Sequence, residues 1–550
     1  MIKAFLRHWL SSVATLGLSL GWGGLIAPPA QSASNIVISL GSARTSVSVE
    51  DLSQFAQAGE VTPILALYGT LLRVENGEQV RELLQTPFDA SPWAVDQVID
   101  SPTGDLIFRR LGNVLKTETG ENGSAALKEA IQTSLKSPGG LTVLQILQNF
   151  PGENILVDLA FSVQLLQDVF EILLEHEIIL EEIESQAQST VAVNPAAFSQ
   201  DLRQPGPLSW EEIDLSFRNP RRDTSSPLYI YLPQAEEPAP LVVISHGLGS
   251  DPKTFEYVAR HLASYGYAVA IPEHIGTSAA KFEQFFDGFD QPPQPAVFAQ
   301  RPTDVTVLID QLAQNSQFQG RIDFRNVGVM GQSFGGYTAL AVAGARLNPT
   351  ELDQGCNAPD RRITLNISTL LQCRALEIAQ EETDFQDDRI RASLAVNPLT
   401  SLIFGEQGMA EIQIPLMMIG GSNDYVTPTI PEQIDAFTWL KTPWRHLVIL
   451  TPGTHFSFLD EAEGRIAFPP EMIGPDPELA YPYLRAMSLA FFNRYLLKQT
   501  EYSPYVSQAY MSLLDELPFV LNILEQLTQE DVQRAIQNAE NQSQQEAASE

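Results

Sequence analysis

Asn326-Val327-Gly328-Val329-Met330-Gly331-Gln332-Ser333-Phe334-Gly335-Gly336-Tyr337 passes from an apolar, strand-like run through a G-x-S-x-G motif into a run of small residues at helical spacing that continues to Ala345. Strand, serine, helix is the order of a nucleophile elbow. The turn is so tight that the serine backbone is strained, and side chains two residues either side of it would collide, so glycine is needed there. Ala339, Ala341 and Ala343 let the following helix lie close to a sheet. Chance alone puts such a motif in a chain of this length about a fifth of the time, so its neighbours must decide.

A serine hydroxyl is a weak nucleophile at neutral pH and needs a base, which in turn needs an orienting carboxylate. On a parallel sheet these belong at the C-terminal strand ends, in the chain order serine, acid, histidine. After the apolar run Leu416 to Ile419 comes Gly420-Gly421-Ser422-Asn423-Asp424, and after Leu447 to Leu450 comes Thr451-Pro452-Gly453-Thr454-His455. Asp424 and His455 are therefore the expected partners of Ser333. Asn423 and Asp435 compete for the acid position, and His446 for the base, but His446 opens its strand and so falls at the wrong end of the sheet. A developing oxyanion needs two backbone donors. Phe334 follows the serine, and the loop His246-Gly247-Leu248-Gly249-Ser250 follows the apolar run Leu241 to Ser245, so Leu248 is the expected second donor and His246 a brace for that loop.

Further short apolar runs, Leu228 to Leu232, Ala268 to Pro272, Val327 to Met330 and Ala392 to Val396, read as strands. Helical stretches fall between the strands at Phe255 to Tyr265, Val305 to Gln314 and Ile434 to Leu440. The alternation predicts an α/β fold with a mostly parallel sheet covered by helices. Ahead of it, Thr62 to Leu72, Glu78 to Leu84, Ala125 to Leu135, Leu141 to Leu147 and Ile155 to Ile183 carry apolar residues at helical spacing, after a short strand at Asn35 to Leu40 and a helix start at Ser48. His176, on the last of these helices, reads as a surface histidine. The expected division is a signal peptide over 1–33, a mainly helical domain over 34–188, a polar linker over 189–207, the α/β domain over 208–500, and a C-terminal helix with a disordered Gln/Glu/Ala-rich tail over 501–550.

The signal peptide is read from Lys3 and Arg7, the apolar stretch Trp9 to about Ala27, and Pro28-Pro29-Ala30-Gln31-Ser32-Ala33, with cleavage after Ser32 or Ala33. The expectation is an exported, secreted or periplasmic protein with no transmembrane segment after cleavage. A formal charge of -34 argues against nucleic acid as a partner. Two cysteines, Cys356 and Cys373, fall in a polar insertion after the elbow helix and form a candidate disulfide in an exported chain. No histidine or cysteine cluster has metal-ligand spacing, so neither metal nor cofactor is expected. Phe282, Phe285, Phe286 and Phe289 follow Glu273-His274 and are candidates for an acyl pocket or, equally, for a buried hydrophobic loop. The oligomeric state is left open.

Three blocks together, His246-Gly247-Leu248-Gly249, Ser264-Tyr265-Gly266-Tyr267-Ala268-Val269-Ala270 with Pro272-Glu273-His274, and Gly331 to Gly336, resemble the platelet-activating factor acetylhydrolase group of α/β-hydrolases. The resemblance covers roughly 207–497 and implies a calcium-independent serine esterase acting on short or oxidised acyl chains of phospholipids. It implies Ser333 as nucleophile, Asp424 and His455 as its partners, and Leu248 and Phe334 as oxyanion donors. The stretch Gly420 to Pro428 looks more like the dienelactone-hydrolase branch, which leaves the substrate open. The helical region resembles an uncharacterised domain that precedes such hydrolases in some exported bacterial proteins. A lipase, a peptidase or a dienelactone-type hydrolase would use the same three residues, and a non-catalytic binding protein could keep the fold.

Overall fold

Runs such as Leu241-Val242-Val243-Ile244 are apolar at every position, and only a sheet covered on both faces can bury both sets of side chains. The computed structural model of the chain, which describes residues 32–40, 43–71, 77–87, 92–99, 102–137, 140–189, 198–357, 366–460, 470–515 and 518–549, builds that sheet. Residues 1–31 of the expected signal peptide and 190–197 of the expected linker fall outside the described residues. The chain divides into two compact units, one comprising residues up to Leu173 together with Gln284–Pro292, the other Leu174–Glu283 and Pro293–Glu550.

The first unit is less purely helical than expected. Strands β1 (Asn35–Leu40), β2 (Ala43–Ser48), β3 (Leu115–Lys116) and β4 (Asn154–Asp158) form a small sheet in the order β2-β1-β4-β3. Ser48 caps the helix Val49–Ala58 by accepting from Asp51 N–H at 3.0 Å, and Gly59, at φ 74°, closes it in the left-handed region. The helix expected from Ile155 begins only at Leu159 and runs to Ser189. Ile155 instead pairs in parallel with Ile36 of β1. A run of β-branched and aliphatic residues fits either period, and here pairing with a strand more than 100 residues earlier decides. The core gathers Val95, Ile99, Phe108, Leu127, Ile131, Phe150 and Ile155, and includes Phe285.

Among its described residues the second unit holds nine strands: β5 (Trp210–Phe217), β6 (Ser226–Pro233), β7 (Ala239–Ser245), β8 (Ala268–Pro272), β9 (Ile322–Gln332), β10 (Ile390–Val396), β11 (Leu416–Gly421), β12 (Arg445–Thr451) and β13 (Val520–Leu524). Their order is β13-β12-β11-β10-β9-β7-β8-β6-β5. The run β8-β7-β9-β10-β11-β12 is parallel, and β5, β6 and β13 are antiparallel to their neighbours. Val242 and Ile244 face one side, packing with Val258 and Leu262 of helix Glu256–Ser264 and with Leu489 and Phe492 of helix Tyr481–Tyr495. Leu241 and Val243 face the other, with Val305 and Leu308 of helix Val297–Gln314. Each such side chain contributes about 1.5 to 3 kcal/mol on full burial.

The C-terminal segment departs from the expected helix and disordered tail. Its apolar run becomes β13, paired so that Leu447 faces Leu524 and Thr451 faces Val520, and a helix follows over Gln529–Ser549. β13 is an edge strand, and Gln508 covers part of that edge: its side chain donates to Leu521 O at 2.9 Å and accepts from Ile523 N–H at 2.8 Å. Between β9 and β10 the polar insertion folds into short helices in which Cys356 and Cys373 are joined by a disulfide.

Candidate active site

Strands β9, β11 and β12 are parallel neighbours of β10 or of each other, so their C-terminal ends lie along one edge of the sheet. At the end of β9, Ser333 has φ 55° and ψ −118°. This is a sparsely populated region for a residue with a Cβ, at a cost of roughly 1 to 3 kcal/mol. The conformation is held by the Ser333 N–H, which donates to Val396 O at 2.9 Å, and by the Ser333 carbonyl, which accepts from Tyr337 N–H at 3.0 Å. The glycines are sterically required. A Cβ on Gly331 would fall on the Gly335 carbonyl, one on Gly335 would fall on the Ser245 carbonyl, and one on Gly336 would lie 2.9 Å from Pro398 Cα.

His455, after β12, turns Nδ1 to Asp424 Oδ2 at 2.7 Å. The carboxylate can only accept, so Nδ1 carries the proton and Nε2 is free to take another. The other carboxylate oxygen of Asp424 accepts from Val426 N–H and Thr427 N–H, each at 2.8 Å, and the Thr427 hydroxyl donates to Oδ2 at 2.8 Å. The Asp424 side chain is fully buried, and His455 is 7% exposed and Ser333 8%. A buried carboxylate with this many donors is an effective orienter of an imidazole.

The acid and histidine loops are tied to each other and to the elbow. Asn423 N–H donates to Gly453 O at 2.6 Å. Asn397, at φ 43°, donates from Nδ2 to Thr454 O at 3.2 Å and accepts at Oδ1 from Gly421 N–H at 3.0 Å. Gln332, next to the serine, donates to the His455 carbonyl at 3.2 Å. Sequence reading missed both amides; the residue just before a candidate nucleophile was the available signal for Gln332, whereas nothing local marks Asn397.

Across from these, the loop after β7 passes beside the serine. A Cβ on Gly247 would lie 3.6 Å from Ser333 Cβ and 2.6 Å from Gln332 Oε1. Among the described residues neither the Leu248 nor the Phe334 N–H is taken by an acceptor, which leaves both available to an incoming oxygen. His246 is a brace, as expected: it is fully buried, its Nδ1 donates to Gly247 O at 2.8 Å, and its Nε2 accepts from His274 N–H at 2.9 Å. Burial, with Arg301 and His274 nearby, holds it well below the usual histidine range. His446 is buried at the start of β12, with Nε2 at 2.7 Å from the Tyr495 hydroxyl.

Two expectations need correction. The four phenylalanines do not form one wall: Phe285 is in the core of the first unit, Phe289 is 84% exposed, and the side chain of Phe286 lies outside the described residues. Phe282 stays by the oxyanion loop, 3.6 Å from where a Cβ on Gly249 would be. His176 is not a surface residue but half-buried, with Nε2 2.8 Å from Ser422 O in the acid loop, and burial pushes its pKa down.

Sequence reading also missed Glu432. Its carboxylate is fully buried and accepts from Thr400 N–H at 2.6 Å, Ser401 N–H at 3.0 Å, Gln372 Nε2 at 2.7 Å and Ser368 Oγ at 3.1 Å. Ser368 and Gln372 precede Cys373, and Ser368 N–H donates to Val426 O at 3.1 Å, so the disulfide-bearing insertion is anchored to the acid loop.

Comparison with known proteins adds two family matches. A family model described as an alpha/beta hydrolase of unknown function matches residues 32–158, and a chlorophyllase family model matches residues 198–356. Platelet-activating factor acetylhydrolase of Cavia porcellus is 22% identical over 299 residues, 47% of this chain, which spans 58% of that relative's length. The fold is that of an α/β-hydrolase. Within the α/β-hydrolase domain the chlorophyllase match includes β5 to β9, the loop at His246 and the elbow at Ser333, whereas Asp424 and His455 lie beyond it.

Proposed function

We propose that this α/β-hydrolase cleaves carboxylic esters through an acyl-enzyme on Ser333, with short-chain or phospholipid acyl esters as substrates. Ser333 Oγ attacks the ester carbonyl while His455 Nε2 takes its proton. Charge developing on the carbonyl oxygen is met by the Leu248 and Phe334 N–H groups. The tetrahedral adduct collapses as His455 returns the proton to the leaving alcohol, and water then attacks the acyl-enzyme by the same route. Asp424 keeps the imidazole in the Nδ1–H form and stabilises the cation it becomes.

The observation that carries the reading is the 2.7 Å pair between His455 Nδ1 and Asp424, on loops tied to a serine in a strained elbow. The substrate class is supported by the acetylhydrolase named above. Purified wild-type protein should hydrolyse p-nitrophenyl acetate and be labelled by a fluorophosphonate, and Ser333→Ala should lose both. Turnover that persists in Ser333→Ala would place the chemistry elsewhere. Across a panel of acyl lengths and amides, short acyl esters should be preferred; a preference for amides would favour a peptidase.

Export is part of the proposal, supported by Lys3, Arg7 and the apolar stretch that follows. The N-terminal sequence of protein recovered from outside the cytoplasm should begin at Ala33 or Ser34; an intact Met1 there would refute cleavage.

A further inference from the structure

Under the candidate oxyanion loop lies a charged group with no part in the proposed chemistry. Arg301, on helix Val297–Gln314, is fully buried. Removing a guanidinium from water costs several kcal/mol unless its surroundings compensate. Among the described residues no carboxylate is within ion-pair distance of it, because the nearby Asp304 is taken by Arg222 Nη1 at 2.7 Å and His274 Nδ1 at 2.7 Å. Burial pushes Arg301 down to about 9, with Asp304 opposing the shift, so it stays charged at neutral pH.

Its hydrogen bonds go to the framework of the oxyanion hole. Nη1 donates to Thr277 Oγ1 at 2.7 Å, Nε to Thr338 Oγ1 at 3.3 Å, and Nη2 to the carbonyl of His246. The guanidinium lies 4.6 Å from the centre of the Phe334 ring, a cation–π contact. A trans peptide is planar, with its carbonyl and its N–H on opposite sides. Arg301 therefore fixes the His246–Gly247 peptide. His246 Nδ1–H, whose tautomer is set by the His274 N–H on Nε2, fixes the Gly247–Leu248 peptide by its carbonyl. The Leu248 N–H is left pointing away from the imidazole.

We propose that Arg301 is a positioning residue for both oxyanion donors, holding the Leu248 loop through the His246 carbonyl and Phe334 through its ring. This rests on the serine-hydrolase reading above. The donors matter only once charge has formed on the substrate oxygen, so their displacement lowers kcat and leaves KM nearly unchanged.

The test is steady-state hydrolysis of p-nitrophenyl acetate by wild type, Arg301→Met and Arg301→Lys, with thermal unfolding followed for each. Arg301→Met should lose about 10²-fold in kcat, the scale of one lost oxyanion donor, with KM unchanged. Arg301→Lys keeps the charge but not the planar fork, so it should lose about tenfold and gain an alkaline limb in its pH profile as the buried ammonium gives up its proton. A folded Arg301→Met with wild-type kcat would overturn the proposal. Should Arg301→Met not fold, Arg301→Lys decides: wild-type kcat and pH profile overturn it, and lowered kcat with the new limb supports it. Wild-type protein that neither turns over ester nor reacts with fluorophosphonate would remove the underlying reading as well, whereas Ser333-dependent activity indifferent to Arg301 removes only this inference.

Discussion

The two halves of the candidate site are built by different means. The elbow and oxyanion loop are a backbone construction: glycines packed against carbonyls, a serine at φ 55°, and peptides held by Arg301 and His246. The acid and histidine half also packs glycines on backbone, at Gly421 and Gly453, but its chemistry is aimed by side chains: Asp424, Thr427, Asn397 and Gln332 hold His455 and the loops around it. Backbone groups that carry charge-stabilising N–H donors have no rotamer to adjust, so they are placed by sterics and by hydrogen bonds to their peptide carbonyls. A proton-transferring imidazole can be aimed by hydrogen bonds. The difference teaches that the glycines of the first half should fail by losing the fold, whereas side chains that only position a group, Arg301 in the first half as well as those of the second, should fail by losing rate while still folded.

The sharpest test of this contrast is Asp424→Asn, in which the amide oxygen can keep the Val426 and Thr427 N–H groups. The protein should stay folded while kcat on p-nitrophenyl acetate drops by about 10⁴-fold, because the histidine is offered the wrong tautomer. A loss below tenfold in a folded variant would break the assignment of the acid. Next in size is Gly335→Ala, whose new methyl meets the Ser245 carbonyl, a backbone atom that cannot turn aside. Chemical denaturation should show a loss of more than about 3 kcal/mol.

The histidine at the opposite end of β12 supplies a control. Burial, with Arg494 adding to it, pushes His446 down to about 4, whereas an unfolded histidine titrates near 6.5. The unfolded chain therefore binds this proton first, and His446 favours folding fully above about pH 6.5, losing on the order of 2 to 3 kcal/mol as pH falls toward 4. Asp435 acts in the opposite sense, since burial and then Glu432 and Glu175 push its carboxyl up to about 6. Stability measured against pH for wild type and His446→Gln should show the smaller acid loss in the variant; equal slopes would count against a neutral buried His446. The smallest effect belongs to Gly420→Ala in the acid half. There the methyl meets only the Gln433 side chain, 3.2 Å away at its nearest atom, and a loss of about 1 kcal/mol is expected. If it matched the loss in Gly335→Ala, the contrast between the halves would disappear.

Legibility in the sequence followed the range of the interactions involved. Strands such as Leu241 to Ser245 and Ala268 to Pro272 were visible because their own side chains demand two-sided burial. The outer strands β5 and β13 were not: Trp210-Glu211-Glu212-Ile213-Asp214 puts a carboxylate on each face of β5 and so breaks the apolar alternation, and β13 is defined by pairing with β12 and by Gln508. Phe282, Phe285 and Phe289 are neighbours in the chain but end beside the oxyanion loop, in the core of the first unit and in solvent.

By itself the sequence determined the order of strands β6 to β12 and the strained glycine-serine turn, because these follow from sterics and from side-chain periodicity within a dozen residues. It also placed Asp424 and His455 after successive strands. Only the tertiary structure decided that His455 faces the buried carboxylate of Asp424, that Asn397 joins the acid and histidine loops, and that a buried Arg301 underlies the loop at Leu248. Those contacts join residues separated by 24 to 57 positions, and no local rule specifies them: they exist only after the sheet has brought its strand ends together.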